Sequence, residues 1–186
     1  MYQSDIKAYI DKEIEVLKSL DILSINTVMT AIIATYNAKG NIYIFGNGGS
    51  ASTASHYQND FNKGISGCLE KKFKFVCLND NISTIMAIAN DLGYEYVFEF
   101  QLRGKLGKDD LVIGISGSGN SLNVLRAIEY AKSQCVKTIG ITGYDGGKLA
   151  KLVDVSFNVP VHNMQITEDV HLLLNHLMMN VLMGSL

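Results

Sequence analysis

The chain has 186 residues, of which 47% are hydrophobic and 18% charged, with a formal net charge of −2. That composition predicts a single globular domain spanning 1–186, and the absence of any basic stripe excludes nucleic-acid binding by phosphate neutralisation. No stretch approaches the roughly 18 apolar residues of a membrane span, the opening residues mix acids and bases without a signal-peptide run, and Cys68, Cys77 and Cys135 lie far apart, so the expectation is a cytoplasmic protein with reduced thiols and no membrane partner.

Residues 4–38 predict a long helical extension in one or two pieces. The core of 39–186 then alternates short apolar runs with amphipathic stretches. "NIYIFG" (41–46) reads as a strand, followed by a helix over about 50–62. "FKFVCL" (73–78) is the second strand, with helix over 83–104, broken near Gly93. "DLVIGIS" (110–116), "KTIGIT" (137–142) and "DVSFNVP" (154–160) are further strands, separated by helices at 121–134 and 146–152, and a long helix closes the chain at 165–184. The first, third and fourth strands are apolar on both faces, as parallel strands between helical layers must be. The fold class is therefore α/β, a doubly wound, Rossmann-like parallel sheet of five strands with long helices at both termini.

Ligands of such sheets bind beyond the carboxyl ends of the strands, where strand order reverses. Two loops stand out there, "GNGGSA" after the first strand and "SGSGNS" (116–121) after the third. A helix N-terminus presents unpaired N–H groups, glycines let the backbone come close, and serine hydroxyls add uncharged donors, a combination suited to a phosphate monoester. Neither loop contains the lysine of a Walker A motif. The dinucleotide fingerprint fails because Ala51 stands at its last glycine, and a nucleophile elbow fails at Ser118. The phosphate belongs to a small molecule that the loop grips without transferring.

His56 and Asp60 follow the first loop one helical turn apart, able to share a metal ion, to act as an acid–base pair, or to form a surface ion pair. The last helix carries Glu168, Asp169, His171 and His176 on an apolar background, in a chain with only four histidines. That concentration suggests a second part of the same site. His162, in the preceding loop, is expected to face solvent.

"FGNGGSA", "AIANDLGYEYVF", "GISGSGNS", "GITGYDGGKLA" and "EDVHLLLNH" together resemble the sugar isomerase (SIS) family, and within it the phosphoheptose isomerases, over about residues 40–180. The resemblance implies a homotetramer with active sites at subunit interfaces. It also implies interconversion of sedoheptulose 7-phosphate and D-glycero-D-manno-heptose 7-phosphate, feeding heptose to a bacterial surface polysaccharide. Carried over residue by residue, it implies that Asn47, Gly48 and Gly49 touch the substrate and that Ser116, Gly117, Ser118 and Ser121 hold its phosphate. Asn90 and Asp91 would line the sugar, His56, Asp60, Glu168 and His176 would ligate a divalent metal, and Asp60, His176 and Glu168 would carry the proton chemistry, with His171 in reserve. The metal of the family is commonly zinc, and two carboxylates here also admit manganese or iron. Several positions depart from the family pattern: Asp60 replaces a glutamate, Glu168 a glutamine, Gly117 a threonine, Gln165 an acid and Phe100 an arginine. An isomerase for another phosphosugar, or a non-catalytic SIS binding or regulatory protein, is the alternative reading. Geometry adds a constraint: Glu168 and His176 are about 12 Å apart along an axis if both are helical.

Overall fold

Five parallel strands run through the computed structural model, which describes residues 1–185, with the side chain of Cys68 outside the described set. They are β1 (Ile42–Gly46), β2 (Phe75–Cys77), β3 (Leu111–Ser116), β4 (Lys137–Gly143) and β5 (Val155–Val159), in the order β2-β1-β3-β4-β5. The helices are α1 (Gln3–Ser19), α2 (Ile22–Ala38), α3 (Gly49–Asn59), α4 (Ile82–Asp91), α5 (Glu99–Leu102), α6 (Leu122–Ser133), α7 (Gly147–Leu152) and α8 (Met164–Met183).

Side-chain alternation sorts the sheet into two cores. Ile42 and Ile44 of β1 join Leu111, Ile113 and Ile115 of β3 on the face covered by α2, α3 and α8. Tyr43, Phe45 and Val112 point to the opposite face, against α4, α5 and α6. β1 and β3 are buried at every residue, and β4 at all but Lys137, which explains why their sequences carry apolar side chains on both faces. At Gly114 an added Cβ would come within 2.9 Å of Val124 Cγ1, so glycine there lets α6 settle onto β3.

The N-terminal extension forms two helices because Leu20 is extended and Asp21 caps α2, accepting from the Leu23 N–H at 2.9 Å. The predicted 83–104 helix breaks where expected: Gly93 at φ +116° ends α4 and leads into a 3₁₀ turn, Tyr94–Tyr96. α3 does not continue as an α-helix to 62. It passes at Asp60 into a π-helical turn, Asp60–Gly64, of the kind that often marks functional positions.

Chain order reverses between β1 and β3, which are neighbours while β2 and β4 lie on opposite sides. Both glycine- and serine-rich loops leave this switch point at the carboxyl ends of their strands.

Candidate active site

The serine loop joins β3 to α6 around a cavity of about 160 Å³, walled by Ser116, Gly117, Ser118 and Ser121 with Asn47, Ser50 and Glu168. Ser121 occupies the N-cap position of α6 but makes no capping bond; its Oγ lies 3.1 Å from Ser116 Oγ instead. With that hydroxyl turned away, the Leu122 and Asn123 amides face a ligand uncapped, while the Val124 N–H donates to Asn123 Oδ1 at 2.9 Å. Gly119 sits at φ +65°, with the Gly146 carbonyl where a Cβ would be, so no other residue closes this turn without strain. The pocket thus offers hydroxyls and backbone amides without a cationic side chain on its wall.

Two features set the pocket's shape. An added Cβ at Gly117 would meet Met164 Sδ at 2.5 Å, so methionine fills the space that the resemblance gives to a threonine. A Cβ on Gly49 would collide with both carboxylate oxygens of Glu168, so that glycine lets the carboxylate rest against the first turn of α3, where the helix dipole favours negative charge. Asn47 lines the pocket with its amide tied on two sides: it exchanges two hydrogen bonds with Asn123, at 2.8 and 2.9 Å, and accepts the Tyr94 hydroxyl at 2.8 Å. Gly48, at φ +54°, forms the elbow that starts α3.

A second group assembles where α3 meets α8. His56 Nε2 is 3.2 Å from Asp60 Oδ2 and 3.2 Å from His176 Nε2, and His176 Nε2 is 3.7 Å from Asp60 Oδ2. The sequence spacing placed His56 and Asp60 on one helical face; the fold brings His176 to the same point from across the chain. Ligands held tetrahedrally at about 2.1 Å from a zinc ion lie about 3.4 Å from one another. The three observed separations match that edge length, and the three atoms converge with one position left for another donor, so this set fits a divalent cation. Asp60 is buried and the two histidines are exposed, so the site opens on one side.

Glu168 does not join this group within one chain. α8 begins at Met164, so Glu168 and His176 are both helical and the separation of about 12 Å applies. Glu168 lies on the wall of the serine-loop pocket, and His176 at the histidine–aspartate group. Asn90 and Asp91 stand exposed at the end of α4, hydrogen-bonded to each other at 2.8 Å, and are not part of the pocket wall.

His171 requires a correction. It is not available as a reserve ligand: its ring is buried against the sheet, Nε2–H donates to the Thr142 carbonyl at 3.0 Å, and burial pushes its pKa down to about 4. His162 is exposed, its ring edge-on to Tyr144. Sequence reading missed Asn123, Tyr94 and Met164, which shape the pocket, and Asn175, which donates to Asp60 Oδ2 at 2.6 Å. Only Asn123, two residues past the serine loop, carried a local hint.

A doubly wound sheet with a hydroxyl- and amide-lined pocket at its switch point, and a histidine–carboxylate group further along α8, is the arrangement of a phosphosugar-handling enzyme. The SIS domain family matches residues 2–143. Over 181 residues the chain is 33% identical to a probable phosphoheptose isomerase from Thermoplasma volcanium, covering 96% of this chain and 90% of that protein. It is 43% identical over 148 residues to a phosphoheptose isomerase from Helicobacter pylori, covering 79% of this chain and 76% of that one. The structure of phosphoheptose isomerase GmhA from Neisseria gonorrhoeae superposes over 100% of both chains, with a TM-score of 0.90 at 30% identity. The chain belongs to the SIS domain family and, within it, to the phosphoheptose isomerases; it is a sugar-phosphate isomerase.

Proposed function

We propose that the protein interconverts sedoheptulose 7-phosphate and D-glycero-D-manno-heptose 7-phosphate with the help of a divalent cation, zinc in the first place. One observation carries this reading. α8 contributes Glu168 to the oxyanion pocket and His176 to the histidine–aspartate group, about 12 Å further on. A heptulose 7-phosphate has its phosphate and its reacting carbons at opposite ends of the molecule, so it needs two subsites at such a separation.

The hydroxyls of Ser116, Ser118 and Ser121 and the amides of Leu122 and Asn123 would hold the phosphate, and Asn47, Gly48 and Gly49 would border the sugar. Asp60 would take a proton from C1 of the ketose and return it to C2, while His176 moves a proton from O1 to O2, so that the carbonyl shifts from C2 to C1 through an enediol. A cation held by His56, Asp60 and His176 would supply positive charge to the oxygen that becomes negative as the C1 proton leaves; Glu168, which the resemblance assigns to the same cation, would stay at the pocket within one chain. Asn90 and Asp91 would reach the sugar from α4.

The resemblance also gives a homotetramer with shared active sites, a cytoplasmic setting and a role in heptose supply to a bacterial surface polysaccharide. An oligomer is supported by α1, which buries only Val16 and exposes Ile6, Tyr9, Ile10 and Ile14. Among the described residues no single helix is long and apolar enough to cross a membrane.

The reading is tested by incubating metal-loaded protein with sedoheptulose 7-phosphate in deuterated water. Deuterium should enter at C1 of the ketose and C2 of the aldose. No exchange with this ketose, but exchange with a shorter ketose phosphate, would move the protein to another substrate. No exchange with any ketose phosphate would make it a binding protein.

A further inference from the structure

Asp60 is gripped by α8 twice. His176 approaches its carboxylate from the open side, and the preceding residue, Asn175, reaches it from the interior. Asn175 has no exposed surface, and its Nδ2 donates to Asp60 Oδ2 at 2.6 Å, a short charge-assisted bond. An ionised carboxylate can only accept, so the amide must present its nitrogen here. Asn59 Nδ2 donates to the other oxygen, Oδ1, at 3.1 Å.

The placement is costly to the fold. Among the described residues Asn175 Oδ1 has no hydrogen-bond partner, although it is buried. Its neighbours on the buried face of α8, Val170, Leu174 and Met178, are core side chains. An apolar residue at 175 would serve packing better, so the amide is explained by what it holds. Asp60 is also the residue that needs holding: it opens the π-helical turn and is one methylene shorter than the glutamate of the family pattern.

We infer that Asn175 is a positioning residue, which fixes the Asp60 carboxylate toward His56 and His176 and does for an aspartate what side-chain length does for a glutamate. The inference rests on the reading of Asp60 as ligand and base. Partners of metal ligands typically change metal affinity or activity by roughly 10- to 100-fold.

The test is a cycle of Asn175→Leu, Asp60→Glu, the double variant and Asp60→Ala in the full-length protein. Each is followed by kcat and KM with sedoheptulose 7-phosphate, by cobalt(II) titration, and by melting temperature. Asn175→Leu should lower kcat by roughly 10- to 100-fold and weaken cobalt binding by at least about 10-fold. KM should stay within about twofold, and the melting temperature should change little, since the unpartnered carbonyl removed offsets the hydrogen bond to Asp60 that is lost. Adding Asp60→Glu to Asn175→Leu should restore most of kcat and cobalt affinity. Asn175→Ala replaces the leucine if that variant does not fold. Wild-type kcat and cobalt affinity in Asn175→Leu would overturn the inference, as would losses that follow a lowered melting temperature without recovery in the double variant. If Asp60→Ala itself keeps both activity and cobalt, the reading of Asp60 fails instead.

Discussion

The pocket at the tip of β3 and the group between α3 and α8 sit at two levels of the same helix and are built on opposite plans. The serine loop is a continuous hexapeptide whose donors are hydroxyls and main-chain amides, with no cation on the wall. The histidine–aspartate group takes two residues from α3 and the turn that follows it, and one from a helix 120 positions away. A backbone site is fixed once its turn closes, and it resists substitution at glycine positions. A side-chain site depends on what stands behind each ligand, so its weak points are residues that never meet the substrate.

The largest effect separates the two regions cleanly. Asp60→Ala should lower kcat by about 10³-fold or more and abolish the bound metal by elemental analysis, while a phosphate-bearing inhibitor still binds. Loss of inhibitor binding in the same variant would mean that the two regions are one.

Acid should weaken the segment that joins them. His171 lies on α8 between Glu168 and His176, and its folded-state pKa of about 4 is below the ordinary 6.5. The unfolded chain therefore binds the proton more readily, so stability is intact above about pH 6.5 and falls as pH drops through 4. The full loss is on the order of 3 kcal/mol. Urea denaturation from pH 7 to 4 should lose that slope in His171→Gln.

On the pocket side, Ser116→Ala combined with Ser121→Ala should raise KM by roughly 10- to 100-fold, as expected for lost hydrogen bonds to a charged group, without loss of metal. The smallest expected effect is that of Gly117→Thr. Its side chain meets Met164 Sδ, so KM should rise by about 10-fold, and Met164→Ala should restore it. Failure of that rescue would show that Gly117 is not sized by Met164.

The contrast also explains how much could be read in advance. All five strands and the break at Gly93 were legible, because buried parallel strands and glycine-limited helices are local patterns. The serine-rich turn after β3 was legible for the same reason. The pairing of His56 with Asp60 followed from helical spacing, but their meeting with His176 came only through the resemblance, and α8's register then placed Glu168 in the pocket and not with the histidines. His171 and His176 are indistinguishable as letters on an apolar background; one turns into the sheet and the other to the surface. Asn175, Asn123 and Tyr94 act through contacts made across the fold, at sequence separations of 115, 76 and 47. No sequence window contains both partners.

The most direct measurement is a crystal structure of the metal-loaded protein with sedoheptulose 7-phosphate bound. Phosphorus should lie in the 116–121 turn, with C1 and C2 facing His56, Asp60 and His176 and a cation between those three side chains. A phosphate seated elsewhere, or a cation bound away from Asp60, would contradict the two-subsite site described above.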